Sequence, residues 1–151
     1  MQNINKILII RFSSLGDVVL ATPLIRWLRQ HFPEAELDFL VRQEYAELLH
    51  HNPGIDQLIE FDVKPGFSSL RKLKNRLKSS NYDVVLDIHN NLRSCYLCLG
   101  MGGFFSRTRI LRIRKQQFIR LLLVKFKINL YRRLYGRFIP LWEKYLRTAK
   151  P

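Results

Sequence analysis

Apolar runs that alternate with helical patterns constrain the fold of this 151-residue chain more than any other feature. The first run, KILIIRF (6–12), is a nearly continuous apolar stretch rich in isoleucine, which is typical of a strand buried on both faces. Similar runs follow at residues 36–41, 56–62, 82–89 and 107–113. Strands separated by helices predict right-handed βαβ units and a parallel sheet. We therefore expect an α/β fold with a doubly wound parallel sheet.

The helix predicted after the first run contains a proline. Its apolar stripe covers residues 18–28, and Pro23 lies inside that stripe. Either the helix begins near Gly16 and bends at Pro23, or Thr22 caps a separate helix that has Pro23 in its first position. We favour the first alternative.

Two loops follow strands directly and are candidates for a binding site. SSLGD (13–17) follows the first strand, and HNNLRS (89–94) follows the fourth. In doubly wound sheets, ligands bind at the carboxyl ends of the strands, where the strand order reverses. The first loop contains a single glycine, so it lacks both the three-glycine dinucleotide fingerprint and the G-K-[ST] of a phosphate-binding P-loop. The loop therefore argues against a typical dehydrogenase or P-loop enzyme.

Asp17 has two interpretations on the residues alone. It is an acid in the first turn of a helix, where the helix dipole contributes about 0.3–1 kcal/mol. It is also a candidate general base that points into the cleft, with Gly16 allowing a substrate or the backbone to approach closely. The two interpretations are compatible, and His89 and Asn90 are further candidates to line the same site.

The charge of the chain is strongly uneven. Residues 1–62 contain nine acidic and five basic residues, whereas residues 63–151 contain three acidic and 21 basic residues. Such a basic portion predicts contact with phosphate groups, a membrane surface or nucleic acid, and its alternative is a solvated basic face. No apolar run reaches the roughly 18–20 residues of a membrane span, and no signal-peptide pattern is present. We therefore expect a cytoplasmic protein.

Four motifs occur together along residues 5–115. They are S-S-L-G-D after the first strand (13–17), T-P on the next helix (22–23), N-P-G-I-D before the third strand (52–56) and Y-D-x-x-x-D at the fourth (82–87). With these motifs, the segment resembles the amino-terminal domain of the family 9 glycosyltransferases, the ADP-heptose:lipopolysaccharide heptosyltransferases. The resemblance implies the Rossmann-like amino-terminal half of a two-domain GT-B fold.

This resemblance also implies a division of labour between domains. Residues 1–115 are expected to form the acceptor-side domain, and residues 116–151 a basic helical tail that leads toward a second, missing domain for the nucleotide sugar. The implied function is the acceptor-binding half of an inverting glycosyltransferase, which moves heptose from ADP-heptose to the inner core of lipopolysaccharide. We expect such a truncated chain to be inactive alone, because positioning both substrates is most of the catalysis.

The site residues implied by the resemblance lie at one edge of the predicted sheet. The position that matches the catalytic base of the family is Asp17. No metal and no cofactor are expected, and the donor ADP-heptose is expected to bind mainly to the missing domain. The remaining candidates supply polar groups, positive charge or space for a substrate, and they are Ser13, Ser14, Gly16, Lys64, Arg71 and Arg93.

The expected partners follow from the charge and the resemblance. They are a lipopolysaccharide core acceptor, an anionic membrane surface that would make the protein peripheral to the inner membrane, and a separate carboxyl-terminal half. The alternative function is a non-catalytic basic module that binds nucleic acid or another anionic partner. We favour it less, because the chain lacks an RNP-like, KH-like or zinc-finger signature.

Overall fold

The computed structural model describes residues 4–64, 66–102, 108–113 and 141–149. Within these ranges the chain forms one five-stranded sheet in the order β3-β2-β1-β4-β5, and every neighbouring pair is parallel. The expected doubly wound α/β fold is confirmed. The strands are β1 (Lys6–Ile10), β2 (Glu36–Arg42), β3 (Gln57–Phe61), β4 (Val84–Asp87) and β5 (Arg109–Arg112).

Helices cover both faces of the sheet. They are α1 (Leu15–Val19), α2 (Thr22–His31), a 3-10 helix (Gln43–Leu48), α3 (Phe67–Ser79), α4 (Leu92–Cys98) and α5 (Leu141–Ala149). One face packs against α2, the 3-10 helix and α5, and the other packs against α3 and α4. The helices therefore bury the sheet on both sides.

Strand β1 shows why its sequence is apolar throughout. Ile7 and Ile9 face the core beneath α2 and α5, whereas Leu8 and Ile10 face the core beneath α3 and α4. All four side chains are at most 1% exposed. Burying an aliphatic side chain of this size contributes about 1.5–3 kcal/mol, so β1 is the central element of both cores.

The prediction of one helix bent at Pro23 is wrong. The structure has two helices, α1 and α2, and Pro23 is the second residue of α2. A proline cannot donate a backbone hydrogen bond, so it is tolerated in the first turn of a helix, where that bond is not made. The alternative with a separate second helix is nearer to the structure, although Ala21 rather than Thr22 occupies the cap position.

Helix α5 packs against α2 and β5, and its Tyr145 is fully buried in the core. Residues 114–140 lie outside the described residues, so the predicted domain boundary at residue 115 and the helical tail before α5 remain predictions. In the ranges described above, no helix is long and apolar enough to cross a membrane.

The strand order reverses between β1 and β4. The chain continues from β1 to β2 on one side of the sheet and from β4 to β5 on the other. The space at the ends of β1 and β4, here called the crevice, is the usual ligand position in open parallel sheets.

Candidate active site

A buried arginine connects the ends of the two central strands. Arg11 follows β1 directly and is 8% exposed. Its backbone N–H donates to the carbonyl of Leu40 at 3.0 Å, and its Nη1 donates to the carbonyl of Ile88 at 2.7 Å. The rings of Phe12 and His89 lie edge to face, with centroids 5.1 Å apart. The loops after β1 and β4 are therefore fixed against each other.

Asp17 is held through one of its two carboxylate oxygens. Its Oδ2 accepts from Nη2 of Arg11 in a short ion pair, from the Ser14 backbone N–H at 3.2 Å and from the Ser14 hydroxyl at 3.1 Å. Among the described residues, Oδ1 accepts no hydrogen bond. The side chain is 28% exposed, so Asp17 is anchored and still accessible from solvent.

The surroundings of Asp17 favour its ionised form. Partial burial raises the pKa of this carboxyl, but the Ser14 hydrogen bonds and the Arg11 charge outweigh burial, and the net pKa is lowered. Asp17 is therefore a carboxylate at neutral pH and needs no prior deprotonation to accept a proton. The same interactions make it a weak base in the absence of a substrate.

Gly16 leaves open space beside Asp17. Apart from its own helical turn, no described residue has an atom within 4 Å of the position where a side chain at residue 16 would begin. Packing against the described residues therefore does not require a glycine here, and its φ lies outside the left-handed region. That Gly16 lets a substrate approach the carboxylate stays a prediction.

The loop after β4 is organised by a buried carboxylate. Oδ1 of Asp87 accepts from the backbone N–H groups of His89 at 3.2 Å and Asn90 at 2.7 Å. Its Oδ2 accepts from the Ser94 hydroxyl at 3.0 Å and lies 3.5 Å from Nε of Arg112. Asn90 adopts a φ of +47°, a left-handed conformation that asparagine tolerates better than most residues. This loop is therefore a rigid wall of the crevice.

The three cationic candidates lie on the surface of the protein. Lys64 follows β3, Arg71 lies on α3 and Arg93 on α4, and all three are exposed. Within the described parts of the chain, no contact joins any of them to Asp17. The structure thus keeps the cations separate from the carboxylate.

Arg93 also lines a cavity of about 340 Å³ between the β3 end, α3 and α4. The Phe61 ring in its wall lies 5.6 Å from the Phe12 ring, which in turn contacts His89. A chain of aromatic contacts therefore joins the cavity to the crevice. The other lining residues are Val63, Gly66, Phe67, Leu70, Leu92 and Tyr96.

Metal binding and thiol chemistry were also considered for the described ranges. No group of three or more His, Cys, Asp or Glu residues there could hold a metal ion. Cys95 and Cys98 on α4 form no disulfide. Burial, together with the nearby Asp87 charge, raises the pKa of Cys98 to about 11, so that thiol is not a thiolate nucleophile at neutral pH.

The sequence-based reasoning missed Arg11, although a signal was present. An arginine within an otherwise apolar strand is rarely buried unless its charge is paired, and the S-S-L-G-D motif supplies an acid six residues later. The predicted substrate contact of Ser14 stays a prediction, and the structure adds a contact of Ser14 within the protein. Its hydroxyl is already used by Asp17, so Ser14 orients the carboxylate.

Comparisons with known sequences point to one family. The chain is 30% identical over 98 residues to the lipopolysaccharide core heptosyltransferase OpsX of Haemophilus influenzae, a match that covers 65% of this chain and 28% of that protein. It is 35% identical over 79 residues to lipopolysaccharide heptosyltransferase 3 of Escherichia coli, covering 48% and 23% respectively. The resemblance to glycosyltransferase family 9 is confirmed. No protein-family model matches the chain.

Solved structures of family 9 share the fold. A family 9 glycosyl transferase from Veillonella parvula superimposes with a TM-score of 0.70 and 19% identity, over 96% of this chain and 40% of that one. The Escherichia coli ADP-heptose lps heptosyltransferase II gives 0.67 and 22%, over 96% and 40%. The Escherichia coli heptosyltransferase WaaC with ADP gives 0.65 and 17%, over 95% and 46%. The chain thus spans less than half of each of these proteins and about a quarter of the curated relatives above.

Proposed function

We propose that this chain is the acceptor-binding half of an inverting glycosyltransferase that transfers heptose from ADP-heptose to the inner core of lipopolysaccharide. The relatives named as lipopolysaccharide heptosyltransferases support this proposal. The observation that carries it is the state of Asp17 at the point where the strand order reverses: its Oδ2 is anchored, and its Oδ1 accepts no hydrogen bond from the described residues.

In this mechanism Asp17 is the general base. Its Oδ1 takes the proton from an acceptor hydroxyl as that oxygen attacks the anomeric carbon of the donor sugar. The new C–O bond forms on the face opposite to the departing ADP, so the configuration inverts. Arg11 and Ser14 hold Oδ2 and keep the carboxylate ionised and oriented.

The substrate contacts are divided between the two sides of the crevice. Ser13 is proposed to donate to a substrate phosphate, and Lys64, Arg71 and Arg93 to bind the anionic core acceptor through charge-assisted hydrogen bonds. Their exposure leaves them available to such a ligand. We propose that the donor ADP-heptose binds mainly to residues outside this chain and that no cofactor takes part.

Reconstitution tests this function. The chain is combined with the separately produced part of the Escherichia coli heptosyltransferase 3 that lies outside the matched region, together with ADP-heptose and a core acceptor. We expect heptose transfer only when both parts are present. Asp17→Asn should lower the rate about 10²–10⁴-fold and leave acceptor binding nearly unchanged, while the exposed control Glu47→Gln should do neither.

Two results would contradict the proposal. One is an unchanged rate in Asp17→Asn, and the other is a product with retained anomeric configuration. Short single-stranded and duplex nucleic acids are included as competitors of acceptor binding. Their failure to compete is expected, whereas effective competition favours the non-catalytic basic module.

We also propose that the basic second part of the chain contacts anionic lipid headgroups at the inner membrane. Residues 63–151 carry 21 basic and three acidic residues, and each basic residue near such a surface contributes about 1 kcal/mol. Binding to vesicles that contain anionic lipid should be strong at low salt and weaken steeply as salt rises. Binding that ignores salt, or that is equal on neutral vesicles, contradicts this contact.

A further inference from the structure

Helix α5 places one aromatic ring at the back of the candidate site. Tyr145 is 0% exposed and belongs to the core beneath α2. Its hydroxyl has no hydrogen-bond partner among the residues that the structure describes. A buried hydroxyl without a partner costs stability, so the position of this ring calls for another explanation than a hydrogen bond.

The ring of Tyr145 covers the guanidinium of Arg11. The Arg11 Cζ lies 5.7 Å from the ring centroid, within the range of a cation–π contact. The two Nη atoms of the same guanidinium donate to the Ile88 carbonyl and to Asp17 Oδ2. The edge of the group is thus fixed by two acceptors and its face by an aromatic ring.

We propose that Tyr145 is a positioning residue for Asp17, because its ring holds the Arg11 guanidinium in the one orientation that binds Oδ2 and leaves Oδ1 open. Helix α5, more than 120 residues after Asp17 in the sequence, is then a part of the acceptor-side site. The role of this contact in catalysis rests on the proposed function, whereas the contact itself is seen in the structure.

The physical effect is the exclusion of water from one face of Arg11. An ion pair weakens when water surrounds it, and a guanidinium free to rotate would donate to either oxygen of Asp17 in turn. Burial raises the pKa of Tyr145 to about 12; the Arg11 charge opposes this shift and the Asp17 charge adds to it. The ring is therefore uncharged at neutral pH and acts through its shape and its quadrupole.

Few other charges act near Asp17. The 3-10 helix packs against α1 and contains Glu44, Tyr45 and Glu47, and Glu44 pairs with Arg42 at 3.1 Å. Burial raises the pKa of Asp17, and the hydrogen bonds from Ser14 and the Arg11 charge lower it. Of these groups, Arg11 is the one that lies against the Tyr145 ring.

The test follows the titration of the Asp17 carboxyl by NMR in the full chain labelled with ¹³C-aspartate, and Asp17→Asn assigns the resonance. Tyr145→Leu removes the ring and should raise the pKa of Asp17 toward its ordinary value. Tyr145→Phe keeps the ring and should leave it unchanged. Leu146→Ala, which loosens the same helix without touching Arg11, should also leave it unchanged.

Three outcomes overturn the proposal: no change in Tyr145→Leu, an equal change in Tyr145→Phe, or an equal change in Leu146→Ala. If Tyr145→Leu does not fold, an NMR measurement on the wild-type chain tests the proposal instead. Its Arg11 Nε–H should exchange slowly with water and show an upfield ring-current shift, and the absence of both overturns the proposal. None of these readouts needs heptose transfer, so failure of the proposed function would leave them intact.

Discussion

Asp17, in α1 after β1, and Asp87, the last residue of β4, lie at the same edge of the sheet, and the two aspartates are in opposite states. Asp87 is 0% exposed, and both of its oxygens are occupied by donors from its own loop and from Arg112. Asp17 is 28% exposed, and only its Oδ2 is occupied within the described residues. Both oxygens of Asp87 are therefore occupied within the protein, whereas one oxygen of Asp17 accepts no hydrogen bond from the described residues.

This difference in hydrogen bonding distinguishes a carboxylate that stabilises a loop from a carboxylate that can react. A buried carboxylate whose acceptor sites are filled holds a loop together and has no access to a substrate. A carboxylate anchored through one oxygen keeps its orientation and can still accept a proton on the other. The crevice therefore has the hydrogen-bonded loop after β4 on one side and the Asp17 carboxylate on the other.

The largest expected effect is on stability, from removal of the saturated carboxylate. Asp87→Ala leaves the buried Ser94 hydroxyl and the Asn90 N–H without their acceptor, and it should lower the free energy of unfolding by about 3 kcal/mol. Asp17→Ala should cost less, about 1–2 kcal/mol, because water reaches this site and the buried Arg11 guanidinium keeps the Ile88 carbonyl as an acceptor. Urea unfolding of both variants measures the difference. If Asp17→Ala lowers the free energy of unfolding as much as Asp87→Ala does, the proposed difference between the two aspartates is wrong.

A smaller effect concerns pH. Since the pKa of Asp17 is lowered in the folded chain, its ionised form stabilises the fold above the unfolded pKa of about 3.9. That contribution is lost as the pH falls through the folded pKa. The stability difference between wild type and Asp17→Asn, measured by urea unfolding from pH 7 downward, should stay constant to about pH 5 and then shrink. A difference that grows on acidification contradicts the lowered pKa.

Much of the fold was predictable because burial leaves a direct mark on the sequence. The run that forms β1 is apolar on both faces because both faces are covered, and Leu70, Leu73 and Leu77 of α3 recur at the helical period because one face of that helix is buried. The break between α1 and α2 was not predictable in this way. The apolar stripe continues across it, and only the tertiary packing decides where Pro23 lies within a helical turn.

The candidate site was predictable in position and less so in composition. The S-S-L-G-D motif locates Asp17 after the first strand, but the sequence alone does not distinguish its state from that of Asp87 at the end of the fourth strand. The difference arises from contacts between residues far apart in the chain: Arg11 with the Ile88 carbonyl and with the Tyr145 ring. An arginine within an apolar strand signals that its charge is paired, but no local pattern specifies partners that lie so far away in the chain.

The smallest expected effect concerns Gly16 and tests whether a substrate approaches Asp17 past this residue. Gly16→Ala adds a methyl group where, apart from its own helical turn, no described residue has an atom within 4 Å, so stability should be unchanged or rise by up to about 1 kcal/mol, since alanine is the better helix former. Affinity for the core acceptor should nevertheless fall, because the methyl group occupies the approach to Asp17. Gly54→Ala is the matched control with the reverse pattern, since its methyl group would lie 2.8 Å from Ile25 Cγ2. That variant should lose about 1–3 kcal/mol and keep its acceptor affinity while folded, whereas unchanged affinity in Gly16→Ala would place the acceptor elsewhere.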